Sequence, residues 1–189
     1  MDIFTLPEGY REIKSVNIQK DKKTAIGLNA VVFIIGGLMI LLGLLLVPFD
    51  PEILSDRVLF FIKAFCLLFG MVLYMFWHEW IHGFFIKRYS GKKAKYSISA
   101  LFISSGSEAF FNKHQYIMIT VMPVIFLGII FLLFNIFIPK EHFWFLYPLQ
   151  IINIMGAADD CYKIFWACRF PDDLLIQDSG IAMTFYSKS

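Results

Sequence analysis

The sequence predicts an all-α membrane protein, with four transmembrane helices and a small cytosolic β-hairpin between the second and third helices. Three observations predict this class: 58% of the 189 residues are hydrophobic, only 17% are charged, and the mean hydropathy is +0.66. A soluble domain averages about 45–50% apolar and about 25% charged residues. The excess apolar surface therefore has to face lipid, and the composition excludes a disordered chain and a secreted disulfide scaffold.

Each predicted span is an apolar run of about the 20 residues that a helix needs to cross a hydrocarbon layer of roughly 30 Å. The four spans are 25–47, 58–82, 116–138 and 143–167. Lys63 lies near the outer end of the second span and can extend toward the interface. The fourth is the least typical, because Asp159, Asp160 and Lys163 lie in its second half. We expect residues 1–189 to form a single integral-membrane domain.

Basic residues alternate along the chain in a way that predicts its orientation in the cell membrane. Successive segments outside the spans carry five, one, six, one and two of them. Because basic segments stay in the cytosol, we expect both termini and the 87–115 connection to be cytosolic. The net charge of +2 is too small to indicate a nucleic acid as partner. The expected partner is the lipid bilayer.

The central cytosolic connection contains the predicted hairpin. Apolar and aromatic residues alternate with polar ones over 95–102, which predicts a strand. Ser104-Ser105-Gly106 predicts a turn, and 107–111 can supply the return strand. We expect this hairpin to pack on the rest of the protein, because an isolated two-stranded hairpin is only marginally stable.

The cytosolic end of the second span reads His78-Glu79-Trp80-Ile81-His82, the pattern H-E-x-x-H. Residues four apart project from one helix face, about 6 Å from each other, so His78 and His82 can bind one metal ion. Glu79 lies about 100° further round the helix, where it can accept a proton from a water molecule that the metal activates. We therefore expect one Zn²⁺, with His78 and His82 as ligands and Glu79 as the catalytic base.

A catalytic zinc takes a third protein ligand, for which the chain offers four candidates: Glu108, His114, Asp159 and Asp160. Depth in the membrane separates them. His78 lies about 30 Å from the outer end of its helix and Asp160 about 26 Å from the outer end of its own, while His142 lies at the opposite face. Asp160 also shares a predicted helix face with small and polar residues, namely Asn153, Gly156 and Ala157. We select Asp160 as the third ligand.

Other polar residues near this site have both a functional and a structural interpretation. Asp159 can accept the free ring N–H of a ligating histidine, and Asn153 can do the same or bind a substrate carbonyl. Asn153 can equally serve as a hydrogen-bond group between helices. For His114 an interfacial position is favoured, and for Glu108 a solvated one.

The chain resembles a bacterial family of multi-pass membrane proteins described as putative zincin peptidases, formerly a domain of unknown function. The resemblance rests on residues 6–10, the H-E-x-x-H segment and residues 153–160, and more weakly on residues 178–186. In the family pattern a glycine precedes the aspartate of the fourth span, and here Asp159 replaces that glycine before Asp160. An H-E-x-x-H motif on one membrane helix and an aspartate on a later one are also similar in plan to site-2 proteases. The resemblance implies a zinc-dependent peptidase.

The sequence therefore predicts a membrane-embedded zinc metalloprotease that hydrolyses peptide bonds at or near the cytosolic membrane face. Its expected substrate is a membrane-associated protein or peptide, bound in extended form along the 95–111 hairpin. The alternative is a non-catalytic membrane scaffold, with or without metal, that holds a partner protein. An ion carrier is disfavoured, because the polar side chains that the first and third spans offer are few: Asn29, Thr120 and Asn135.

Overall fold

The computed structural model describes residues 3–17, 20–98 and 103–188, and helices predominate in this part of the chain. The helices are α1 Lys22–Leu46, α2 Arg57–Ser90, α3 Lys113–Phe137, α4 Phe143–Gly156 and α5 Ala158–Arg169. The strands are β1 Tyr10–Val16, β2 Lys95–Ile98, β3 Ile103–Gly106, β4 Phe111–Asn112, β5 Leu175–Asp178 and β6 Met183–Lys188. Short 3-10 turns at Pro51–Leu54 and Lys140–His142 precede α2 and α4.

Helices α1, α2 and α3 are long and apolar enough to cross a membrane, and they coincide with the first three predicted spans. An N-cap residue precedes each helix, and its side chain accepts hydrogen bonds from free backbone amides of the first turn. The N-caps are Asp21 for α1, Asp56 for α2 and Asn112 for α3. Helix α2 ends at Gly91, whose φ of 73° lies in the left-handed region. Many of the large apolar side chains on these helices are exposed, more than a protein surrounded only by water usually shows.

The predicted fourth span is two helices rather than one. Helix α4 ends at Gly156 and α5 begins at Ala158, so the predicted helix over 143–167 is interrupted. A Cβ on Gly156 would lie 2.9 Å from the hydroxyl oxygen of Tyr74, so the absence of a side chain allows α4 to end against α2. The two pieces have 14 and 12 residues, and each alone is shorter than the run of about 20 that crosses a bilayer.

The prediction of an all-α fold was wrong in one respect, because it omitted a four-stranded antiparallel sheet. Its strand order is β1-β6-β5-β4, so it joins a strand before α1, a strand before α3 and two strands after α5. The buried side of the sheet forms an apolar core with the adjoining ends of α2 and α3. That core includes Ile86, Phe111, Tyr116, Ile119, Leu174, Ile176, Met183 and Phe185.

The predicted hairpin is present, but its return strand differs from the prediction. Strand β2 pairs with β3, with Lys95 opposite Gly106. The predicted turn at 104–106 therefore belongs to strand β3. The predicted return strand begins at Ser107, but this residue leaves the hairpin because its amide donates to the Asp178 carbonyl oxygen at 2.7 Å. At the end of that predicted strand, Phe111 pairs with β5 of the larger sheet. The part of the predicted first strand over 99–102 lies outside the described residues.

Helix α1 packs against α4, whereas α2 packs against α3 and α4. The contact between α1 and α4 uses glycines, since Gly43 lies against the ring of Tyr147. The Tyr147 hydroxyl donates to the Met39 carbonyl oxygen at 2.8 Å, and the Trp144 indole N–H donates to the Val47 carbonyl oxygen at 3.1 Å. These bonds anchor α1 near its C-terminal end. Its N-terminal half borders the cavity that contains the candidate site.

Candidate metal centre

Three buried side chains from two helices converge on one point. The Nε2 atoms of His78 and His82, both on α2, lie 3.2 Å apart. The Oδ2 atom of Asp160, in the first turn of α5, lies 3.2 Å from Nε2 of His78 and 3.5 Å from Nε2 of His82. The structure therefore brings together the three residues that the sequence predicts as metal ligands.

These three distances allow a test of whether the residues fit a zinc ion. Ligand atoms about 2.0–2.1 Å from a tetrahedral zinc are about 3.3 Å from one another. The distances here span 3.2–3.5 Å. Imidazole nitrogen and carboxylate oxygen are also donors that zinc takes in proteins, and three protein ligands leave one position for water or substrate. The donor set and its spacing fit one such ion.

The other ring nitrogen of His82 is held by the backbone of α3. Its Nδ1 lies 2.9 Å from the carbonyl oxygen of Ile119. A carbonyl oxygen only accepts hydrogen bonds, so Nδ1 of His82 is the donor and carries the proton. In the neutral ring, Nε2 then has a free lone pair directed at the cluster, which is the tautomer that a metal ligand needs.

The ring of His78 is held from its own helix. The hydroxyl oxygen of Tyr74, one turn earlier on α2, lies 3.3 Å from Nδ1 of His78, and both side chains are buried. When Nδ1 donates to this hydroxyl, Nε2 of His78 is free in the same way as Nε2 of His82. The two histidines thus have separate supports, a tyrosine hydroxyl for His78 and a backbone carbonyl for His82.

Asp160 is supported by a network of charges that links α5 to the sheet. Its Oδ1 atom lies 3.9 Å from Nζ of Lys163, which also lies 3.1 Å from Oδ2 of Asp159 and 3.7 Å from Oδ2 of Asp178 on β5. Asp178 in turn accepts a hydrogen bond of 2.6 Å from the Tyr116 hydroxyl of α3. One carboxylate oxygen of Asp160 therefore faces the histidines, and the other faces an ammonium group.

Glu79 lies beside the histidines and is less buried than they are. One ligand atom from each of His78, Glu79 and His82 lies within 4.8 Å of the others, so these residues form a group that could hold a metal ion. Glu79 lines the cavity into which the cluster opens. Its carboxylate can therefore meet a molecule in that cavity while the histidines remain enclosed.

The cavity has a volume of about 490 Å³ and lies between the helices, the hairpin and the loop that joins β5 to β6. One wall is a single face of α1, on which Ala25, Leu28, Asn29 and Val32 lie at helical spacing. The facing wall on α2 includes Met75 and Glu79. Residues 103–105 of β3 also line the cavity, so the hairpin lies beside it.

The structure gives other positions to the remaining sequence candidates near the cluster. Asp159 is exposed and pairs with Lys163, and Asn153 is buried and donates to the Val124 carbonyl oxygen at 3.0 Å. The ring nitrogens Nδ1 of His78 and His82 contact the Tyr74 hydroxyl and the Ile119 carbonyl oxygen, and neither Asp159 nor Asn153 takes that place. Asn153 is a hydrogen-bond group between α4 and α3, the structural interpretation that the sequence left open.

The two candidates in the connection between α2 and α3, Glu108 and His114, and the excluded His142 lie outside the cluster. Glu108 is exposed and accepts a hydrogen bond from Lys95, and this bond with the charge of Lys95 lowers the pKa of the Glu108 carboxyl group. His114 is exposed at the start of α3. His142 lies 4.0 Å from Glu141 in the 3-10 turn before α4, at the other end of the helices.

Sequence reasoning missed the residues that support the ligands. The position of Tyr74 beside His78 could have been predicted, because Tyr74 precedes His78 by four residues and therefore lies on the same helix face. Asp178 belongs to β5, a strand that the all-α prediction did not include, so its link to Lys163 had no visible basis. The Ile119 carbonyl is a backbone group, and the side chain of Ile119 itself gives no indication of its role.

These features define a class of site: two histidines and a glutamate in an H-E-x-x-H helix, with a buried carboxylate from a later helix beside them. The family described as "Putative zincin peptidase" matches residues 71–175, which is more than half of the chain and includes all of these residues. The chain belongs to this family. Neither the comparison with curated proteins nor the comparison with solved structures gives a match.

Proposed function

We propose that this protein is an integral-membrane zinc metallopeptidase that cleaves peptide bonds at or near the cytosolic membrane face. The observation that carries the proposal is the convergence of His78 Nε2, His82 Nε2 and Asp160 Oδ2 within 3.2–3.5 Å, next to Glu79. Two elements far apart in the chain bring together the donor set that zinc requires. Membership of a zincin family agrees with this chemistry.

His78, His82 and Asp160 would hold the ion. When bound, zinc supplies Lewis acidity, which makes water acidic near neutral pH and stabilises the negative charge that develops on an attacked carbonyl group. Glu79 takes the proton from the attacking water and returns it to the leaving amine nitrogen. Lys163 balances the charge of Asp160 and Asp159 and so keeps the ligand carboxylate ionised and oriented.

The pairing of the strands supports a fourth membrane crossing by α4 and α5 together. Strand β1 precedes α1, β4 precedes α3, and β5 and β6 follow α5, yet all four strands belong to one sheet. If α1, α2 and α3 each cross the bilayer, the chain can return to this sheet only after a further crossing. We propose that the 27 residues from Phe143 to Arg169 provide it, with both termini in the cytosol.

The walls of the cavity support a membrane-associated substrate. The α1 face that borders the cavity lies about 5–15 Å from the start of that helix, at a depth where lipid chains surround the protein. Asn29 is exposed on that face, and an amide there can bind the backbone of a peptide that is not helical. Strand β3 lies at the cytosolic side of the same cavity and can pair with an extended segment.

Metal analysis tests the ligand set. We expect one zinc per purified wild-type chain and loss of that zinc in His78→Ala and Asp160→Ala. Asp159→Ala is the matched control, because it removes the neighbouring carboxylate that pairs with Lys163 and should leave the zinc content unchanged. Loss of zinc in Asp159→Ala with retention in Asp160→Ala would show that the third ligand is the other aspartate.

Glu79→Gln tests the catalytic role, because it keeps the shape of the side chain and the three ligands but removes the base. We expect zinc content equal to wild type and complete loss of peptide-bond cleavage, measured by mass spectrometry of membrane proteins from cells that express each variant. If Glu79→Gln keeps the biological activity of the wild type, the enzymatic proposal fails and the non-catalytic scaffold becomes the better explanation.

A further inference from the structure

We infer that Pro123 is a positioning residue for the metal centre, because its lack of an amide N–H leaves the Ile119 carbonyl free to orient His82. This inference rests on the proposed function in one respect, namely that the cluster binds zinc. It concerns a buried residue inside α3, four residues after Ile119. Its effect would reach the metal through a backbone group.

The hydrogen-bond pattern of an α-helix gives the first step. The amide of each residue donates to the carbonyl oxygen four residues earlier, so residue 123 would normally donate to Ile119. Pro123 lies inside α3 and has no N–H. The Ile119 carbonyl therefore lacks its usual helical partner, and a buried carbonyl without a partner is unfavourable.

The structure supplies that partner from another helix. Nδ1 of His82 lies 2.9 Å from the Ile119 carbonyl oxygen, and Pro123, Ile119 and His82 are all buried. Water is therefore a poor substitute for this bond. One contact satisfies the carbonyl that proline leaves free and fixes the proton of His82 on Nδ1, so that Nε2 faces His78 and Asp160.

The same part of α3 is fixed on both sides of the proline. The Thr120 hydroxyl donates to the Tyr116 carbonyl oxygen at 2.8 Å, and the Asn153 amide donates to the Val124 carbonyl oxygen at 3.0 Å. The first bond lies within α3, and the second joins α3 to α4. The backbone on either side of Pro123 thus has hydrogen bonds of its own besides the bond from His82 to the Ile119 carbonyl.

Pro123→Ala tests the inference, because alanine restores the amide that competes with His82 for the Ile119 carbonyl. We expect zinc affinity, measured by competition with a chelator on purified protein, to fall by about 10- to 100-fold, the range for loss of an outer-shell partner. The melting temperature of the metal-free protein should stay the same or rise, because alanine suits a helix interior better than proline. A merely structural role for Pro123 would not separate these two readouts.

Pro148→Ala is the matched control. Pro148 also lies inside a helix, α4, but it lines a separate apolar groove with Ile40, Leu44 and Trp144. We expect the zinc affinity of Pro148→Ala to equal that of the wild type. A backbone ester at position 123, introduced as the α-hydroxy analogue of alanine, lacks both the ring and the N–H, and it should restore wild-type affinity.

Several outcomes would overturn the inference. Wild-type affinity in Pro123→Ala would show that the missing amide does not matter, and so would reduced affinity in the ester variant. Equal losses in Pro123→Ala and Pro148→Ala would indicate a general effect of helix proline. If Pro123→Ala does not fold, Pro123→Leu restores the same amide and carries the same comparison. A wild-type protein without zinc would instead contradict the proposed function itself.

Discussion

The membrane-length helices and the four-stranded sheet place the same kind of side chain in opposite positions. Phe65 on α2 is 70% exposed, whereas Phe185 on β6 is 0% exposed. The sheet follows the usual rule for a domain in water, with apolar residues inside, while the helices direct much of their apolar surface outward. The exposed apolar surface is what a helix long enough to cross a membrane would present to lipid, and the buried core is typical of a sheet in contact with water.

This difference explains why the candidate site lies where the two regions meet. Among outward-facing apolar side chains, an inward polar group on a helix is unusual and expensive, as His78 and His82 are on α2. The sheet core extends to α3, where Ile119 binds His82 and Tyr116 binds Asp178 of β5. Helices supply the ligands, and the sheet side of the molecule holds part of their support.

The largest expected effect is on the free energy of unfolding, and it compares a buried phenylalanine of the sheet with an exposed one on α2. Phe185→Ala should lower the free energy of unfolding by about 3–5 kcal/mol, because it leaves a cavity in the sheet core. Phe65→Ala should change it by no more than about 0.5 kcal/mol, because that ring faces outward. Reversible unfolding in mixed micelles measures both, and equal losses would contradict the distinction.

The next effect compares how an exposed position on α2 and one on β1 tolerate a new charge. Leu68→Asp, on an exposed position of α2, should make membrane insertion less favourable by about 2.5–3.5 kcal/mol. Ile13→Asp on β1 is the control, since Ile13 is also exposed but should face water and tolerate the charge. An insertion assay on the intact chain compares the two variants. Similar behaviour of both would show that α2 and β1 face the same medium.

A smaller effect tests how α1 is attached. Gly43→Ala should destabilise the protein by about 1–3 kcal/mol, because the added Cβ would overlap the ring of Tyr147. Gly37→Ala adds the same methyl group where no atom lies within 4 Å, and it should be neutral or stabilise by up to about 1 kcal/mol. Thermal unfolding of both variants measures the contrast. A destabilised Gly37→Ala would place a contact on the face that we describe as open.

The smallest effect concerns the hairpin. Because Lys95 lowers the folded-state pKa of Glu108, their ion pair contributes stability above the ordinary value of about 4.5 and loses it as the pH falls through the lowered pKa. Both side chains are more than 70% exposed, so the contribution should be small and salt-sensitive. We expect Glu108→Gln to melt slightly below wild type at neutral pH and together with it at strongly acidic pH. A difference that persists in acid would exclude the ion pair as its cause.

Local properties of the sequence were sufficient for the long helices and for part of the site. The apolar runs of α1, α2 and α3 are continuous in the chain, so their length and composition predict them directly. His78 and His82 are four residues apart, and helix geometry alone places them together. The helical rise along the second and fourth predicted spans then predicted that Asp160 lies at the same depth as His78.

The rest depended on contacts between distant parts of the chain. Strand β1 pairs Tyr10 with Lys188, a relation that no local pattern contains. Met183, Phe185 and Ser187 alternate in burial along β6, but the residues themselves do not alternate between apolar and polar, since Ser187 is buried and Tyr186 is not. The close approach of Gly156, the last residue of α4, to the Tyr74 hydroxyl involves a side chain on another helix. Each of these features can be predicted only when the distant part of the chain that it contacts is known.

The pairing of β1 with β6 also has a consequence for biosynthesis. Val16 pairs with Met183, about 170 residues later in the chain. At about 5–20 residues per second, a ribosome makes β1 roughly ten to thirty seconds before its partner. During that interval α1, α2 and α3 can enter the membrane, but the sheet that supports Asp178 and the core beside Ile119 cannot close. A nascent chain would therefore contain His78 and His82 well before the sheet that carries Asp178 could form beside them.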